Sequence, residues 1–229
     1  FQNQQLRQAL AGIARENATV PSGGLYAAAK GLVPEGLTVD GLDYRKTAGN
    51  PLPTIPEPKA LYLAARQGMA TSDFSGVTLL LPKNAGLGEL ADQINSAWQK
   101  ECSLFFSVEE VEQDEFDARI AAGKYTIALA PIRAEGGSVY QMLQQFTAEG
   151  GSLTGYADTV YADRLALSAQ QTGKDRCALL AQCERQLLES CTMVPLMAQQ
   201  KRLLLANGVR DLVFDPFFPV LDLTWAKMS

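Results

Sequence analysis

The fold is decided by the stretch GVTLLLP at residues 76–82, which is followed by LGELADQINSAWQK at 87–100 and SLFFSV at 103–108. The first and third stretches are short apolar runs typical of buried strands, whereas the second repeats its apolar residues at helical spacing. A further helix is predicted at 114–122, and a third strand, almost free of polar residues, at 125–132. Strands that alternate with helices of this size indicate βαβ units and a mostly parallel sheet with helices on both faces.

The segments on either side of this core differ in the spacing of their apolar residues. Helical periodicity predicts further helices at about 3–16, 58–69, 138–147, 159–170 and 174–190. Residues 19–58 are rich in Gly and Pro and show no period, so we interpret them as an irregular surface excursion, with a disordered linker as the alternative. We therefore predict one α/β unit over 1–193 and a tail of short strand-like runs over 194–229.

Composition excludes several classes of function. The 229 residues carry a net charge of −5 and no strong basic patch, so a nucleic-acid partner is not expected. The chain contains no histidine, which rules out a His general base, a Ser-His-Asp triad or a His-ligated metal within it. Because no nucleotide-binding, hydrolase-elbow or zinc motif occurs either, we predict neither an enzyme nor a cofactor.

The densest acidic run is EEVEQDE at residues 109–115. Such a run could bind a cation, but more often it is a solvated helix start, where carboxylates favour the positive end of the helix dipole. We take the second interpretation and predict no metal site.

The four cysteines form no C-x-x-C pair. They are interpreted as small buried apolar residues, while a disulfide involving Cys102 stays open. No stretch approaches the roughly 18 apolar residues of a membrane span. Since the chain already opens in what reads as a helix, FQNQQLRQAL at 1–10, we expect it to be part of a longer protein with any export signal upstream.

A candidate ligand loop follows the third strand. Ligands of open α/β sheets bind beyond the carboxyl ends of the strands, where this chain reads APIRAEGG at residues 130–137. Arg133 and Glu135 supply charge, and the two glycines allow the backbone to approach a ligand closely. A plain connection from strand to helix is the alternative interpretation.

The order of the segments resembles a known family, the solute-binding proteins of ABC transporters for oligopeptides, dipeptides and nickel (family 5). Six stretches carry the resemblance, and they are FQNQQLRQAL (1–10), AKGLVPEG (29–36), residues 64–76, GKYTIAL (123–129), GYADTVYAD (155–163) and VPL (194–196). The resemblance implies a type II periplasmic-binding-protein-like lobe, the second of two, with a mixed, mostly parallel sheet flanked by helices. It also implies that the tail crosses back toward an absent first lobe.

The resemblance further implies a function. In that family two lobes close over a ligand like a hinged clamp, so this chain is expected to bind a peptide or a similar small solute for an ABC importer, with the permease subunits as partners. An extracellular or periplasmic lipoprotein is expected, anchored to the membrane only through an N-terminal segment that this sequence does not contain. The alternative is a ligand-sensing domain of the same fold within a transcriptional regulator.

The family's ligand loop usually reads G-W-x-x-D-[YW]-x-D-P, and this chain departs from it. The aspartate that pairs with a peptide's amino terminus aligns with Ala134, beside Glu135, and an aromatic position in the preceding helix aligns with Gln113. These departures leave the fold expectation standing but separate the chain from the family's peptide-recognition pattern. The predicted ligand contacts are Gln113, Ala130, Ile132, Arg133, Ala134 and Glu135.

Overall fold

The computed structural model describes residues 3–67, 69–70, 74–133, 135–149, 153–201, 203–214 and 221–228. The described helices are α1 (Gln4–Asn17), α2 (Tyr44–Ala48), α3 (Pro58–Ala65), α4 (Gly88–Cys102), α5 (Gln113–Ala121), α6 (Val139–Gln144), α7 (Thr159–Ser168) and α8 (Gly173–Glu189). The strands are β1 (Tyr26–Ala28), β2 (Thr38–Val39), β3 (Leu42–Asp43), β4 (Thr78–Pro82), β5 (Ser107–Val111), β6 (Ile127–Ala128), β7 (Met197–Gln199), β8 (Val209–Arg210), β9 (Val213–Phe214), β10 (Leu221–Asp222) and β11 (Lys227–Met228).

The central sheet is parallel, in the order β5-β4-β6. Side chains of a strand alternate between the two faces of a sheet, so the leucines of β4 supply both of them. Leu79 and Leu81 pack against Ala91 of α4, whereas Leu80 packs with Phe116 of α5. The predicted α/β architecture with a parallel sheet and helices on both faces is confirmed.

The second strand does not lie where the sequence pattern placed it. It was predicted at 103–108 but spans Ser107–Val111. Helix α4 continues to Cys102 and ends at Ser103 in a left-handed conformation (φ 56°). The apolar run that follows is a buried connection, fixed where the Asn95 side chain bonds both the N–H and the C=O of Phe106, at 3.2 and 2.8 Å.

The same shift corrects the interpretation of the acidic run. Glu109 and Glu110 belong to strand β5, so only the later part of the run begins helix α5, with Asp114 and Glu115 in its first turn. The third strand is also shorter than its predicted range of 125–132, because regular pairing is confined to Ile127–Ala128.

The interpretation of residues 19–58 as an irregular surface excursion is incomplete, because most of the segment is exposed but part of it is buried. This segment contains β1, β2, β3 and α2, and it contributes Leu32, Val33, Leu37, Val39 and Tyr44 to the main buried core of α6, α7 and α8. The residues lack a period because they enter the core from turns and short strands, where no regular spacing governs which side chain points inward.

A buried ion pair explains why this irregular segment stays in the core. Glu184 of α8 is 0% exposed and Arg45 of α2 is 8% exposed, with 2.8 Å between Arg45 Nη2 and Glu184 Oε1. The carboxylate also accepts hydrogen bonds from the Tyr44 hydroxyl (2.9 Å) and the Val33 N–H (2.9 Å). Burial and the Glu184 carboxylate both raise the pKa of Tyr44. Because a buried charge is tolerated only when paired and hydrogen-bonded, the segment is tied to α8.

The tail from residue 194 adds small antiparallel pairs. β7 pairs with β1, β8 with β11, and β9 with β10. Several of its apolar side chains are exposed, including Leu204 (96%), Trp225 (69%) and Met228 (76%). That the tail crosses toward another lobe stays a prediction.

All four cysteines are free and buried. Burial raises the pKa of the Cys102 thiol to about 11 and that of Cys183 to about 12. Across the described part of the chain, the helices are too short or too polar to cross a membrane.

Candidate ligand-binding site

Three connections meet at the carboxyl edge of the central sheet because its strands are parallel. Strand β4 lies in the middle and is followed by Lys83, β5 is followed by Glu112, and β6 is followed by the loop at 130–137. With neighbouring strands about 4.8 Å apart, the outer two connections are about 10 Å apart and Lys83 lies between them. This edge is where an α/β sheet offers a ligand site.

The 130–137 loop runs from the sheet to the helical core. Ala130 packs against the group of Leu80 and Phe116, while Ile132 packs against the core of α6, α7 and α8. Arg133 is exposed, and its carbonyl accepts a 3.4 Å hydrogen bond from Gln145 Nε2. Ala130 and Ile132 are therefore anchors of the loop, whereas the Arg133 side chain is open to solvent.

The second half of the loop is a tight turn. Ala134 lies outside the described residues, and Glu135 begins a 3-10 turn that spans Glu135–Gly137. Gly136 has a φ of 62°, and a Cβ there would lie 2.8 Å from Gln141 Oε1. Ser138 then caps α6 by accepting a 3.3 Å hydrogen bond from the Gln141 N–H. Glycine is favoured at this turn because it adopts the positive φ at little steric cost.

Gln113 lies at the same edge, on the far side of Lys83 from the loop. It is exposed at the start of α5, and its amide donates a 2.9 Å hydrogen bond to Asp117 Oδ1 on the same helix. The structure thus places the residue on the predicted edge, but its hydrogen bond goes along α5 rather than to the loop.

Sequence reasoning missed Lys83, the residue at the centre of the edge. Its Nζ lies 2.8 Å from Glu112 Oε1, and its backbone N–H donates to the Val111 carbonyl at 2.8 Å. The hydrogen bond to Glu112 is the main reason that the pKa of Lys83 is raised. A signal was present, because Lys83 directly follows the most strongly apolar strand of the chain.

Two other carboxylates of the acidic run, Glu109 and Glu115, share one cation. Arg119 lies 2.8 Å from Glu109 and 2.6 Å from Glu115. Among the described residues, no three side chains of metal-binding type lie together. The edge presents the Lys83 ammonium group, the Glu112 carboxylate and the Arg133 guanidinium group to solvent. Such groups hydrogen-bond the polar or charged ends of a small solute.

The architecture defines a periplasmic-binding-protein-like fold. Solved structures that share it include the pheromone receptor PrgZ (TM-score 0.73, 16% identity), the substrate-binding domain of an oligopeptide ABC transporter from Bacillus anthracis (0.72, 18%) and Listeria monocytogenes OppA bound to peptide (0.70, 18%). They match 100%, 99% and 99% of this chain but only 45%, 46% and 45% of their own chains.

This chain therefore spans less than half the length of these three proteins, whereas a peptide-binding protein of a peptide ABC transporter (TM-score 0.71, 18% identity) is matched over 91% of its own chain and 85% of this one. At such identities the likeness shows the fold, and it confirms the structural part of the resemblance seen in the sequence. No sequence profile of a protein family matches the chain, and no curated protein sequence matches it.

Proposed function

We propose that this chain is one lobe of the substrate-binding component of an ABC importer, and that it holds a peptide or another small solute in a cleft against a second lobe. The observation that carries the proposal is that 99–100% of this chain matches less than half of PrgZ, of the Bacillus anthracis substrate-binding domain and of Listeria monocytogenes OppA. Two of those proteins are described as the substrate-binding domain of an oligopeptide transporter and as OppA bound to peptide.

The edge described above is the surface that this lobe would turn toward the ligand. It carries Lys83 and Glu112 directly after their strands, so the sheet holds these two residues, and it carries Arg133 on the loop that follows β6. The resemblance in sequence implies that Ala134 stands where peptide binders of that family carry aspartate. A peptide's amino terminus would therefore need a different partner, and Glu112 is an exposed carboxylate at this edge.

The remaining parts of the proposal follow from the same role. The partners are permease subunits, the protein works outside the cytoplasmic membrane or in the periplasm, and it binds without catalysis. A similar structure, MppA, is described as a periplasmic murein tripeptide-binding protein (TM-score 0.66, 15% identity).

The experiment compares the protein that contains both lobes with the 229-residue chain alone. Each is equilibrated with a mixture of short peptides, the retained peptides are identified by mass spectrometry, and their affinity is measured by calorimetry. We expect micromolar or tighter binding for the two-lobe protein and binding weaker by about 100-fold or more for the single lobe, which leaves the ligand half solvated.

Two results would contradict the proposal. One is a two-lobe protein that retains no peptide and no other small solute. The other is a single lobe that binds as tightly as the pair, since a clamp would then have no role.

A further inference from the structure

A second surface lies at the opposite end of the sheet from the candidate ligand edge. Helix α4 begins near the carboxyl end of β4 and ends at Cys102, next to the connection that starts β5. Near that far end, α1, α3 and α4 enclose a depression of about 640 Å³, which we call the α3 groove. Its lining includes Glu16, Glu57, Lys59, Ala60, Leu63 and Glu101.

The α3 groove exposes an apolar helix face. Lys59 is the only charged residue of α3, and the inner side of the helix is buried through Pro58, Tyr62 and Ala65. Its outer side presents Ala60, Leu63 and Ala64 to solvent, and Leu63 is 57% exposed. Apart from Lys59, this outer face of α3 is apolar and open to solvent.

The groove is acidic. Glu101 is balanced by Lys59 at 3.1 Å and by Lys100 at 3.7 Å. Glu16 and Glu57 are exposed and form no salt bridge with any residue that the structure describes. Across the lining, three carboxylates stand against one lysine, so the charge of the groove is net negative.

The groove also has a rigid wall. Helices α1 and α3 approach so closely that a Cβ on Gly12 would lie 2.7 Å from Pro58 Cβ and 3.1 Å from Ile55 Cγ2. The backbones of α1 and α3 are thus held by direct helix packing, so a partner would not have to order this wall on binding.

We infer that the α3 groove docks a basic amphipathic segment of another protein, with a large apolar side chain against Leu63 and Lys or Arg beside Glu16 and Glu57. Phosphate-rich partners are disfavoured, because nucleic acids and anionic membrane surfaces would be repelled by the unpaired carboxylates. The groove and the ligand edge lie at opposite ends of α4. A ligand at the edge and a partner in the groove therefore do not compete for the same surface.

The test uses the 229-residue chain and two synthetic peptides. The first is a helix-forming peptide with leucines at i, i+3 and i+4 and lysines on the flanks, and the second is a scrambled peptide of the same composition. Fluorescence anisotropy is expected to show binding of the first peptide with a dissociation constant of about 10–500 μM, and binding at least about five-fold weaker for the scrambled one.

Protein variants locate the binding. Leu63→Ser and the double change Glu16→Lys/Glu57→Lys should each weaken binding at least about five-fold, because they remove the apolar contact and the charge attraction respectively. Leu167→Ser and Asp163→Lys, matched exposed changes on α7, should leave it unchanged, and circular dichroism checks that every variant is folded. Equal binding of the scrambled peptide, no binding of either peptide, or an unaffected Leu63→Ser variant would each overturn the inference. None of these readouts depends on peptide uptake at the ligand edge.

Discussion

Two regions of this chain are stabilised in different ways. The sheet region, formed by β4, β5 and β6 with α1, α3, α4 and α5, has apolar packing with regular spacing, as in the leucines of β4. The helical region, formed by α2, α6, α7, α8 and the segment before α2, packs its apolar residues around a buried ion pair. In the sheet region the packing follows from local spacing of apolar residues, which can be read in the sequence. In the second it depends on one carboxylate that holds a distant, irregular segment.

The largest effect is expected from breaking the ion pair of the helical region. Arg45→Met should lower the free energy of unfolding by about 3–5 kcal/mol, because it leaves the Glu184 carboxylate buried without its cation. Chemical denaturation measures the loss. The double variant Arg45→Met/Glu184→Leu should recover much of it, since no charge is then left in the core.

The surface pair of Arg119 with Glu109 and Glu115 supplies the control. Arg119→Ala should leave the unfolding midpoint nearly unchanged, because exposed ion pairs are screened by solvent. If Arg45→Met were no more destabilising than Arg119→Ala, the ion pair would not be what distinguishes the helical region.

Two close contacts of glycine sharpen the comparison. A Cβ on Gly31 would lie 2.6 Å from both Arg45 Nη2 and Glu184 Oε1, whereas a Cβ on Gly12 would meet the apolar Pro58 Cβ at 2.7 Å. Each change to alanine should cost about 1–3 kcal/mol of unfolding free energy through overpacking. We expect Gly31→Ala to cost more, because it also displaces the ion pair.

Gly88→Ala is the matched change, since a Cβ there meets nothing nearer than Glu110 Oε1 at 3.9 Å. It should be neutral or slightly stabilising at the start of α4. Thermal melts of the three variants decide the order, and a Gly31→Ala protein as stable as Gly88→Ala would show that the contact around the ion pair is loose.

A smaller effect is expected where the two regions are joined. In the protein that contains both lobes, at least one of Arg133→Ala and Glu135→Ala should weaken ligand binding by about 1 kcal/mol or more, a several-fold change in affinity. Arg133→Ala should not alter stability, because the side chain is exposed. Calorimetry against the retained ligand measures the change, with Lys124→Ala, exposed before β6 at the other end of the sheet, as the control. If both variants bind like the wild type, the charges of this loop do not recognise the ligand.

The smallest effect should come from Lys83→Ala. The ion pair with Glu112 is exposed, so the unfolding midpoint at neutral pH should not change measurably. The pKa of Lys83 is raised by Glu112, so any contribution it makes is present below the ordinary lysine pKa and is lost as the pH rises through the raised value. A stability difference between wild type and variant that grew as the pH rose above neutrality would contradict this assignment.

The sequence predicted the sheet region well because its apolar spacing reflects its structure directly. The position of β5 was predicted wrongly because Leu104 and Phe106 are apolar, as in a buried strand. They are instead core residues of the connection that precedes β5. The acidic Glu109 and Glu110 looked unlike a strand, yet β5 lies at the edge of the described sheet and one of its faces is open to solvent.

The helical region was less predictable for a physical reason. Glu184 looks like any polar residue of a helix, and its partner Arg45 lies 139 residues away in a segment without a period. No local sequence pattern predicts a hydrogen bond between residues so far apart in the chain. At the candidate site the loop at 130–137 could be found, because it follows a recognisable strand. Lys83 was missed because its position is significant only once β4 is known to be the central strand.

The four unpaired cysteines have a consequence for how such a protein would be made. If the chain works outside the cytoplasm, as proposed, it must fold in an oxidising compartment where exposed thiols are joined to one another. In the native fold the thiols are enclosed and their pKa values are raised, so they exchange slowly. In the unfolded chain the four thiols are exposed to oxidation. Any disulfide formed at that stage would join cysteines that are free in the native fold. The yield of native protein would thus depend on whether the chain folds faster than its thiols are oxidised. A reductant, or a variant without cysteines, should raise that yield.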